Sequence, residues 1–171
     1  MVNRLIFIGY MASGKSTAAQ ALSHHSGLPA HDVDEAIVQR FGRSIPEIFA
    51  TDGERAFRAM ERQVIGEMLA DPLVRIVACG GGLPCDASNQ RILKAGGRIV
   101  WLDPPFEVIY ERLAYNQNRP LAWRGEQLLN ADELRPHWAE RRTCYESLHA
   151  ECIQQLDDAC ISRWGDWLLA T

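Results

Sequence analysis

Near its N-terminus the chain reads Gly9-Tyr10-Met11-Ala12-Ser13-Gly14-Lys15-Ser16-Thr17, and no other segment constrains the architecture as strongly. It matches the phosphate-binding pattern G-x-x-x-x-G-K-[ST], and it joins a strand predicted over 4–8 to a helix predicted over 15–25. Gly14 lets successive backbone N–H groups turn toward phosphate oxygens, and the helix N-terminus adds partial positive charge. We expect Lys15 to reach the β- and γ-phosphates of ATP and the Ser16 hydroxyl to bind Mg²⁺. The alternative is an ordinary glycine-rich turn, which does not explain the Lys-Ser pair. The predicted ATP contacts of this loop are Met11, Ala12, Ser13, Gly14, Lys15, Ser16 and Thr17.

Outward from this loop, short apolar runs alternate with segments of helical periodicity. Strands are predicted over 4–8, 29–32, 74–79, 98–102 and 151–155, and the longest helix over 53–70. Strands separated by helices require right-handed crossovers, so the pattern predicts an α/β fold with a parallel sheet covered on both faces. Ligands of such sheets bind at the carboxyl ends of the strands.

Polar residues mark several helix starts. Capping-box spacing is found at Ser44 with Glu47 and at Asn130 with Glu133, and Asp86 is a further predicted N-cap. One segment, 116–127, has no clear periodicity and is a candidate lid.

Two acids stand at the end of the second predicted strand. Asp32 and Asp34 have one residue between them, so their carboxylates point the same way if the segment is extended. One acid would then join the Mg²⁺ shell while the other orients or deprotonates a hydroxyl nucleophile. The alternative is that Asp32 only caps the helix that begins near Asp34. The neighbouring phosphate-binding loop favours function, because the strand before Gly80 supplies no acid for the metal.

The longest helix carries a carboxylate in its apolar face. Phe57, Glu61 and Ile65 lie on one i, i+4 line, and an unpaired charge there is costly. Arg58, three residues before Glu61, is the natural partner. A guanidinium held in this way suits a substrate carboxylate, although a surface ion pair is the simpler interpretation.

Two further segments carry candidate binding groups. Gly80-Gly81-Gly82 follows a strand, and its missing Cβ atoms allow a ligand to lie against the backbone; the alternative is a flexible exit from the strand. Arg119 lies in the candidate lid, where an arginine could neutralise charge on the transferring phosphoryl group or remain a solvated loop charge.

Composition restricts the classes of function. The 171 residues suit one domain, and a net charge of −4 disfavours nucleic-acid binding. The five cysteines are odd in number and contain no C-x-x-C pair, which predicts free thiols. No apolar run approaches the ~18 residues of a membrane helix, and the N-terminal apolar stretch is too short for a signal sequence. We therefore expect a cytoplasmic protein without a membrane partner.

Taken in order, these motifs resemble those of shikimate kinases over nearly the whole chain. The resemblance is carried by Asp32-Val-Asp34-Glu-Ala-Ile, Gly42-Arg43-Ser44-Ile45, Ile48-Phe49, Gly53-Glu54, Phe57-Arg58, Glu61, the glycine triplet 80–82, Arg119-Pro120-Leu121, and Arg141 four residues before Tyr145. A phosphate-binding loop alone indicates only a superfamily, whereas this combination is specific to the family.

The resemblance implies an activity and a set of residues for it. The reaction would be ATP-dependent phosphorylation of the 3-hydroxyl of shikimate with Mg²⁺, a step of aromatic amino-acid biosynthesis. The implied catalytic residues are Lys15, Asp34 and Arg119, the implied metal-site residues are Ser16 and Asp32, and Arg112 and Arg119 would join the ATP site. The implied substrate contacts are Asp34, Phe49, Phe57, Arg58, Glu61, Gly80, Gly81, Gly82, Pro120 and Arg141.

The resemblance also implies a fold. It is the P-loop three-layer α/β/α fold of nucleoside monophosphate kinases, with a five-stranded parallel sheet in the order 2-3-1-4-5. A single domain over 1–171 would contain a mobile lid at 116–127 and a substrate-binding helical segment at 33–62. The expected partners are ATP and shikimate, bound by a monomer. Ala12 stands where the family usually has Gly, which tightens the loop.

Three other functions remain open at this point. A kinase for another small hydroxy acid such as gluconate would share most of these features. A weakly active nucleotide-binding regulatory module is a second possibility, opposed by the intact set of Lys15, Ser16, Asp34 and Arg119. A nucleoside monophosphate kinase is disfavoured because no second long insertion offers a pocket for a base.

Overall fold

The computed structural model of this chain describes residues 2–115, 120–125 and 127–170. Its strands are β1 (Leu5–Ile8), β2 (Ala30–Asp32), β3 (Ile76–Ala78), β4 (Arg98–Leu102), β5 (Trp123–Arg124), β6 (Gln127–Leu128) and β7 (Glu151–Ile153). Its α-helices are α1 (Lys15–Ser26), α2 (Val33–Phe41), α3 (Ile45–Thr51), α4 (Gly53–Ala70), α5 (Ala87–Gly96), α6 (Phe106–Ala114), α7 (Ala131–Glu146) and α8 (Asp158–Leu169). Two 3₁₀ turns span Leu83–Cys85 and Pro120–Ala122.

Five strands form one parallel sheet in the order β2-β3-β1-β4-β7. Numbered within this sheet alone, the order is 2-3-1-4-5, so the order implied by the family resemblance is confirmed. β1 lies at the centre because its four residues are apolar and fully buried, which suits a strand covered on both faces. The carboxyl ends of β1, β2 and β3 lie at the same edge, so the loops that follow them meet there.

The two faces of the sheet are covered by different helices. Successive side chains of β1 point to opposite faces. Leu5 and Phe7 pack with residues of α1 and α8, and the Phe7 and Trp164 ring centroids are 5.5 Å apart. Ile6 and Ile8 belong to the second core, to which α2 to α7 contribute. The result is the three-layer α/β/α arrangement predicted above.

The helix-start signals in the sequence are confirmed. Ser44 and Asn130 each form a complete capping box with a glutamate, at the starts of α3 and α7. Asp86 accepts hydrogen bonds from Ser88 N and Asn89 N at the start of α5. These local bonds satisfy backbone N–H groups that have no partner within the helix, and for this reason they can be predicted from sequence.

Some short elements were not predicted. One is the 3₁₀ turn at 83–85, into which the glycine triplet leads. The others are the 3₁₀ turn at 120–122 and the antiparallel β5–β6 ribbon, which begins in the candidate lid and ends at Leu128. Leu129 N donates to Ala122 O at 2.9 Å across the base of this ribbon. Backbone pairing therefore gives regular structure to residues 123–124 and 127–128, although side-chain periodicity gave no signal for it.

All five cysteines are free thiols, as predicted. Among the described residues, no helix is both long and apolar enough to cross a membrane.

Candidate active site

The loop between β1 and α1 encloses a space for phosphate. Gly14 has φ +99°, a left-handed conformation that L side chains rarely adopt, and it directly precedes the first turn of α1. Lys15 is 8% exposed, and its Nζ donates to Tyr10 O at 2.7 Å. Ala12 also has a positive φ of 59°, which costs a non-glycine residue about 1–2 kcal/mol. The loop therefore holds a strained, preformed turn with a cation beneath it.

A cleft of 810 Å³ opens beside this loop. Its walls include every loop residue from Ala12 to Thr17, with Leu102, Pro104, Pro105, Val108, Arg112, Ile153, Gln154, Gln155 and Leu156. Arg112 Nη1 donates to Ala12 O at 3.3 Å, which brings the guanidinium over the loop. The structure thus brings the predicted nucleotide residues Ala12 to Thr17 and Arg112 together, while Met11 lines the neighbouring pocket.

Asp32 caps α2, which is the simpler of its two predicted roles. Its second carboxylate oxygen is directed toward Ser16, where it could take part in a Mg²⁺ site. Its Oδ1 caps α2 by accepting from Asp34 N at 2.9 Å. Its Oδ2 accepts from Ser16 Oγ at 2.6 Å, so a carboxylate and a hydroxyl meet beside Lys15. Mg²⁺ prefers oxygen ligands of this kind and usually keeps several waters or phosphate oxygens, so the pair fits such an ion. Within the described ranges, no three His, Cys, Asp or Glu side chains cluster as a metal site.

The prediction that Asp32 and Asp34 point the same way is wrong. β2 ends at Asp32, and Asp34 already lies in the first turn of α2, so the segment between them is not extended. The helical turn separates the two carboxylates: Asp32 faces Ser16, and Asp34 lines a second pocket. The two acids therefore line different cavities.

The Arg58–Glu61 pair is a partly buried ion pair, not a surface one. Glu61 is fully buried, and Arg58 Nη1 lies 2.5 Å from Glu61 Oε2. Burial raises the pKa of Glu61 to about 7 although Arg58 opposes the change. Glu61 Oε1 has no hydrogen-bond partner in the described part of the chain. Glu54 binds the same guanidinium at 2.9 Å, so two carboxylates hold Arg58, which lines the pocket.

The glycine triplet makes room for these charged groups. A Cβ on Gly80 would lie 2.7 Å from Glu61 Oε1 and 2.8 Å from Asp34 Oδ1. A Cβ on Gly82 would lie 2.5 Å from Arg58 Nη1. The carbonyl of Gly81 accepts from Tyr145 Oη at 2.6 Å, which ties the triplet to α7. A Cβ at Gly80 or Gly82 would therefore displace a charged side chain of the pocket, and this close packing argues against the interpretation as a flexible exit.

The second pocket collects most of the predicted substrate contacts. Phe49 and Phe57 form an aromatic wall with ring centroids 4.8 Å apart. The full lining is Tyr10, Met11, Asp34, Ile45, Phe49, Phe57, Arg58, Glu61, Gly80, Gly81, Gly82, Leu121, His137 and Arg141. Two guanidinium groups and one unpaired carboxyl oxygen at an apolar wall suit a small ring that bears a carboxylate and hydroxyls.

Four lining residues were missed by the sequence analysis: Tyr10, Ile45, Leu121 and His137. A signal existed for one of them, because His137, Arg141 and Tyr145 repeat at intervals of four along α7 and share its inner face. The sequence gave no signal for Tyr10, because the phosphate-binding pattern leaves the side chain at this position unspecified.

The two predicted site residues of the candidate lid are at the edge of the described part of the structure. Arg119 falls outside the described residues. Pro120 begins the 3₁₀ turn at 120–122, and Leu121 of the same turn reaches the second pocket.

These features define a P-loop kinase of small molecules. They are the phosphate-binding loop, the parallel sheet of this strand order, and the neighbouring pocket lined by both carboxylates and guanidinium groups. The sequence model of the family described as "Shikimate kinase" matches residues 11–160. A shikimate kinase of Aquifex aeolicus (strain VF5) is 38% identical over 142 residues, which are 83% of this chain and 81% of that protein. The chain belongs to the shikimate kinase family.

Solved structures agree with this assignment. A shikimate kinase from Acinetobacter baumannii in complex with shikimate superposes with a TM-score of 0.85 at 29% identity, covering 98% of this chain and 92% of the other. A gluconokinase from Sinorhizobium meliloti 1021 gives a TM-score of 0.50 at 18% identity over 97% of this chain and 91% of the other, which shows a shared fold only. The similarity is therefore much greater to shikimate kinases than to this other acid kinase.

Proposed function

We propose that this protein transfers the γ-phosphoryl group of ATP to the 3-hydroxyl of shikimate, giving shikimate 3-phosphate and ADP. The observation that carries the proposal is the second pocket, where Asp34, Arg58 and Arg141 surround a space next to the P-loop. Family membership and the superposed shikimate complex from Acinetobacter baumannii support the same substrate.

The nucleotide is assigned to the 810 Å³ cleft. Backbone N–H groups of the loop and the N-terminus of α1 would hold the phosphates, because both direct partial positive charge at the same point. Lys15 Nζ, which now donates to Tyr10 O, would exchange that bond for phosphate oxygens. Arg112 over the loop would cover the base.

The acceptor is assigned to the second pocket. Arg58 and Arg141 would bind the shikimate carboxylate, with Glu61 fixing Arg58, and Phe57 would pack against the ring. Asp34 would accept the proton of the attacking hydroxyl or orient it, a task that contributes about 10²–10⁴ in rate.

Mg²⁺ is assigned to Ser16 Oγ and Asp32 Oδ2. Bound with ATP, the ion would neutralise charge on the phosphate oxygens. Asp32 would then release its hydrogen bond from Ser16, while its Oδ1 continues to cap α2. The predicted roles of Arg119 in catalysis and of Pro120 at the substrate stay predictions. The predicted monomer likewise stays a prediction.

Turnover of the purified chain tests the proposal. ADP release would be measured with ATP and Mg²⁺, and with shikimate, gluconate or no acceptor. We expect strong stimulation by shikimate alone, dependence on Mg²⁺, and loss of the signal in Lys15→Ala, which controls for contaminating kinases. Equal ADP release with and without shikimate, together with stimulation by gluconate, would show that the assigned acceptor is wrong.

A further inference from the structure

A chain of three polar side chains crosses the wall of the second pocket. Tyr10 Oη lies 2.7 Å from His137 Nδ1, and Arg141 Nε donates to His137 Nε2 at 3.2 Å. Tyr10 belongs to the phosphate-binding loop and the other two to α7, so the imidazole joins two halves of the site. All three residues line the pocket.

The direction of these hydrogen bonds follows from the chemistry of arginine. A guanidinium donates and never accepts, so His137 Nε2 must be the unprotonated nitrogen. In the neutral imidazole, Nδ1 then carries the hydrogen and donates to Tyr10 Oη. Tyr10 Oη becomes an acceptor in this bond, and its own hydrogen remains available for another partner. The described residues provide no second partner for this hydroxyl.

Burial and charge support this protonation state. Tyr10 contacts His137 directly, and the charges of Arg141, Glu140, Glu54 and Arg58 act on it. Burial, followed by the Arg141 charge, lowers the pKa of the imidazole. Burial also raises the pKa of Tyr10, which is 3% exposed, so the phenol keeps its hydrogen. His137 is therefore neutral and Tyr10 protonated near neutral pH.

We infer that Tyr10 Oη donates a hydrogen bond to an oxygen of the bound hydroxy acid, and that His137 positions both Tyr10 and Arg141 for it. This inference rests on the proposed function, because it adds a contact to the same substrate. With this contact, binding of the hydroxy acid in the second pocket would depend on a side chain of the phosphate-binding loop. The same loop would then hold both the nucleotide and the phosphoryl acceptor.

The first variant is Tyr10→Phe, which removes only the hydroxyl. The bond from Lys15 uses the backbone carbonyl of residue 10, so the phosphate site keeps its contact. Loss of a hydrogen bond to a charged or polar substrate oxygen predicts a KM for shikimate raised about tenfold, with a smaller change in kcat and in the KM for ATP. The matched control is Tyr115→Phe, the same change at a side chain 93% exposed.

The second pair of variants separates positioning from packing. His137→Leu removes both hydrogen bonds, and we expect a rise in the KM for shikimate larger than that of Tyr10→Phe. His137→Gln keeps one acceptor for Arg141 and one donor for Tyr10 in a single amide, so we expect it to recover most of the loss. His24→Gln, at an exposed position of α1, is the control. A residue that only fills space would not be rescued by a polar amide.

Calorimetric titration of shikimate, with thermal unfolding of each variant, completes the test. The inference is supported if Tyr10→Phe and His137→Leu weaken shikimate binding and His137→Gln restores it. It is overturned if Tyr10→Phe stays within about twofold of the wild type, or if Gln and Leu at position 137 behave alike. If His137→Leu does not fold, Tyr10→Phe alone decides: weakened shikimate binding supports the inference, and binding within about twofold of the wild type overturns it. A wild-type chain that neither binds nor phosphorylates shikimate would instead refute the proposed function.

Discussion

Substitution of the buried carboxyl group, Glu61→Gln, gives a quantitative test of the pocket's electrostatics. Burial raises the pKa of Glu61 from 4.5 to about 7. Because the folded-state pKa is raised, the stabilisation by this group is complete below the unfolded pKa and is lost as the pH rises through about 7. Each unit by which the pKa is displaced is worth about 1.36 kcal/mol. Ionisation of Glu61 therefore lowers the free energy of unfolding by about 3 kcal/mol well above neutral pH.

Glutamine does not titrate, so the contribution of Glu61 to the pH dependence of unfolding should disappear in this variant. Between pH 5 and pH 8.5 we expect Glu61→Gln to gain about 2–3 kcal/mol in free energy of unfolding relative to the wild type. That is a large part of the ~5–15 kcal/mol that holds a domain together. Urea unfolding of the ligand-free chain, followed at several pH values, measures the difference directly.

The matched control is Glu54→Gln on the same helix. The Glu54 side chain also pairs with Arg58 but is 56% exposed. We therefore expect the free energy of unfolding of Glu54→Gln to follow the same pH dependence as that of the wild type. If the Glu61→Gln profile also runs parallel, within about 0.5 kcal/mol, then Glu61 is ionised without penalty and the reasoning from burial fails.

Four further changes test the proposed site, with ATP saturation measured alongside as the internal control. Asp34→Asn should lower kcat by about 10²–10⁴ with little effect on ATP binding; activity within tenfold of the wild type would leave Asp34 only a structural role. Arg58→Lys should raise the KM for shikimate about tenfold or more, because a point charge cannot replace a two-pronged guanidinium, and an equal loss of ATP affinity would mean a folding defect. Gly82→Ala places a Cβ 2.5 Å from Arg58 Nη1, so we expect a raised KM for shikimate in a folded protein, and an unchanged KM would show that the guanidinium can move without loss. Trp123→Phe should abolish a fluorescence change that, with nucleotide and shikimate together, exceeds the sum of the separate changes; strictly additive changes would argue against a closing lid at 116–127.

Much of this protein follows from local sequence. The phosphate-binding loop, the α4 helix with Glu61 in its apolar face, and the caps at Ser44, Asp86 and Asn130 depend on residues a few positions apart. The bonds that decide such features close within one turn of chain, so spacing alone predicts them. The family resemblance added the strand order, which spacing does not contain.

Other features were decided only when distant segments met. Tyr10 and His137 are 127 positions apart, and their hydrogen bond exists because the sheet brings the loop after β1 against α7. The hydrogen bond between Ser16 and Asp32 has the same origin, since the two side chains meet only where the ends of β1 and β2 share one edge. Burial of Glu61 sets its pKa, and burial is a property of the packed chain: sequence spacing names the apolar face, but only the neighbouring helices and the glycine triplet exclude water from it.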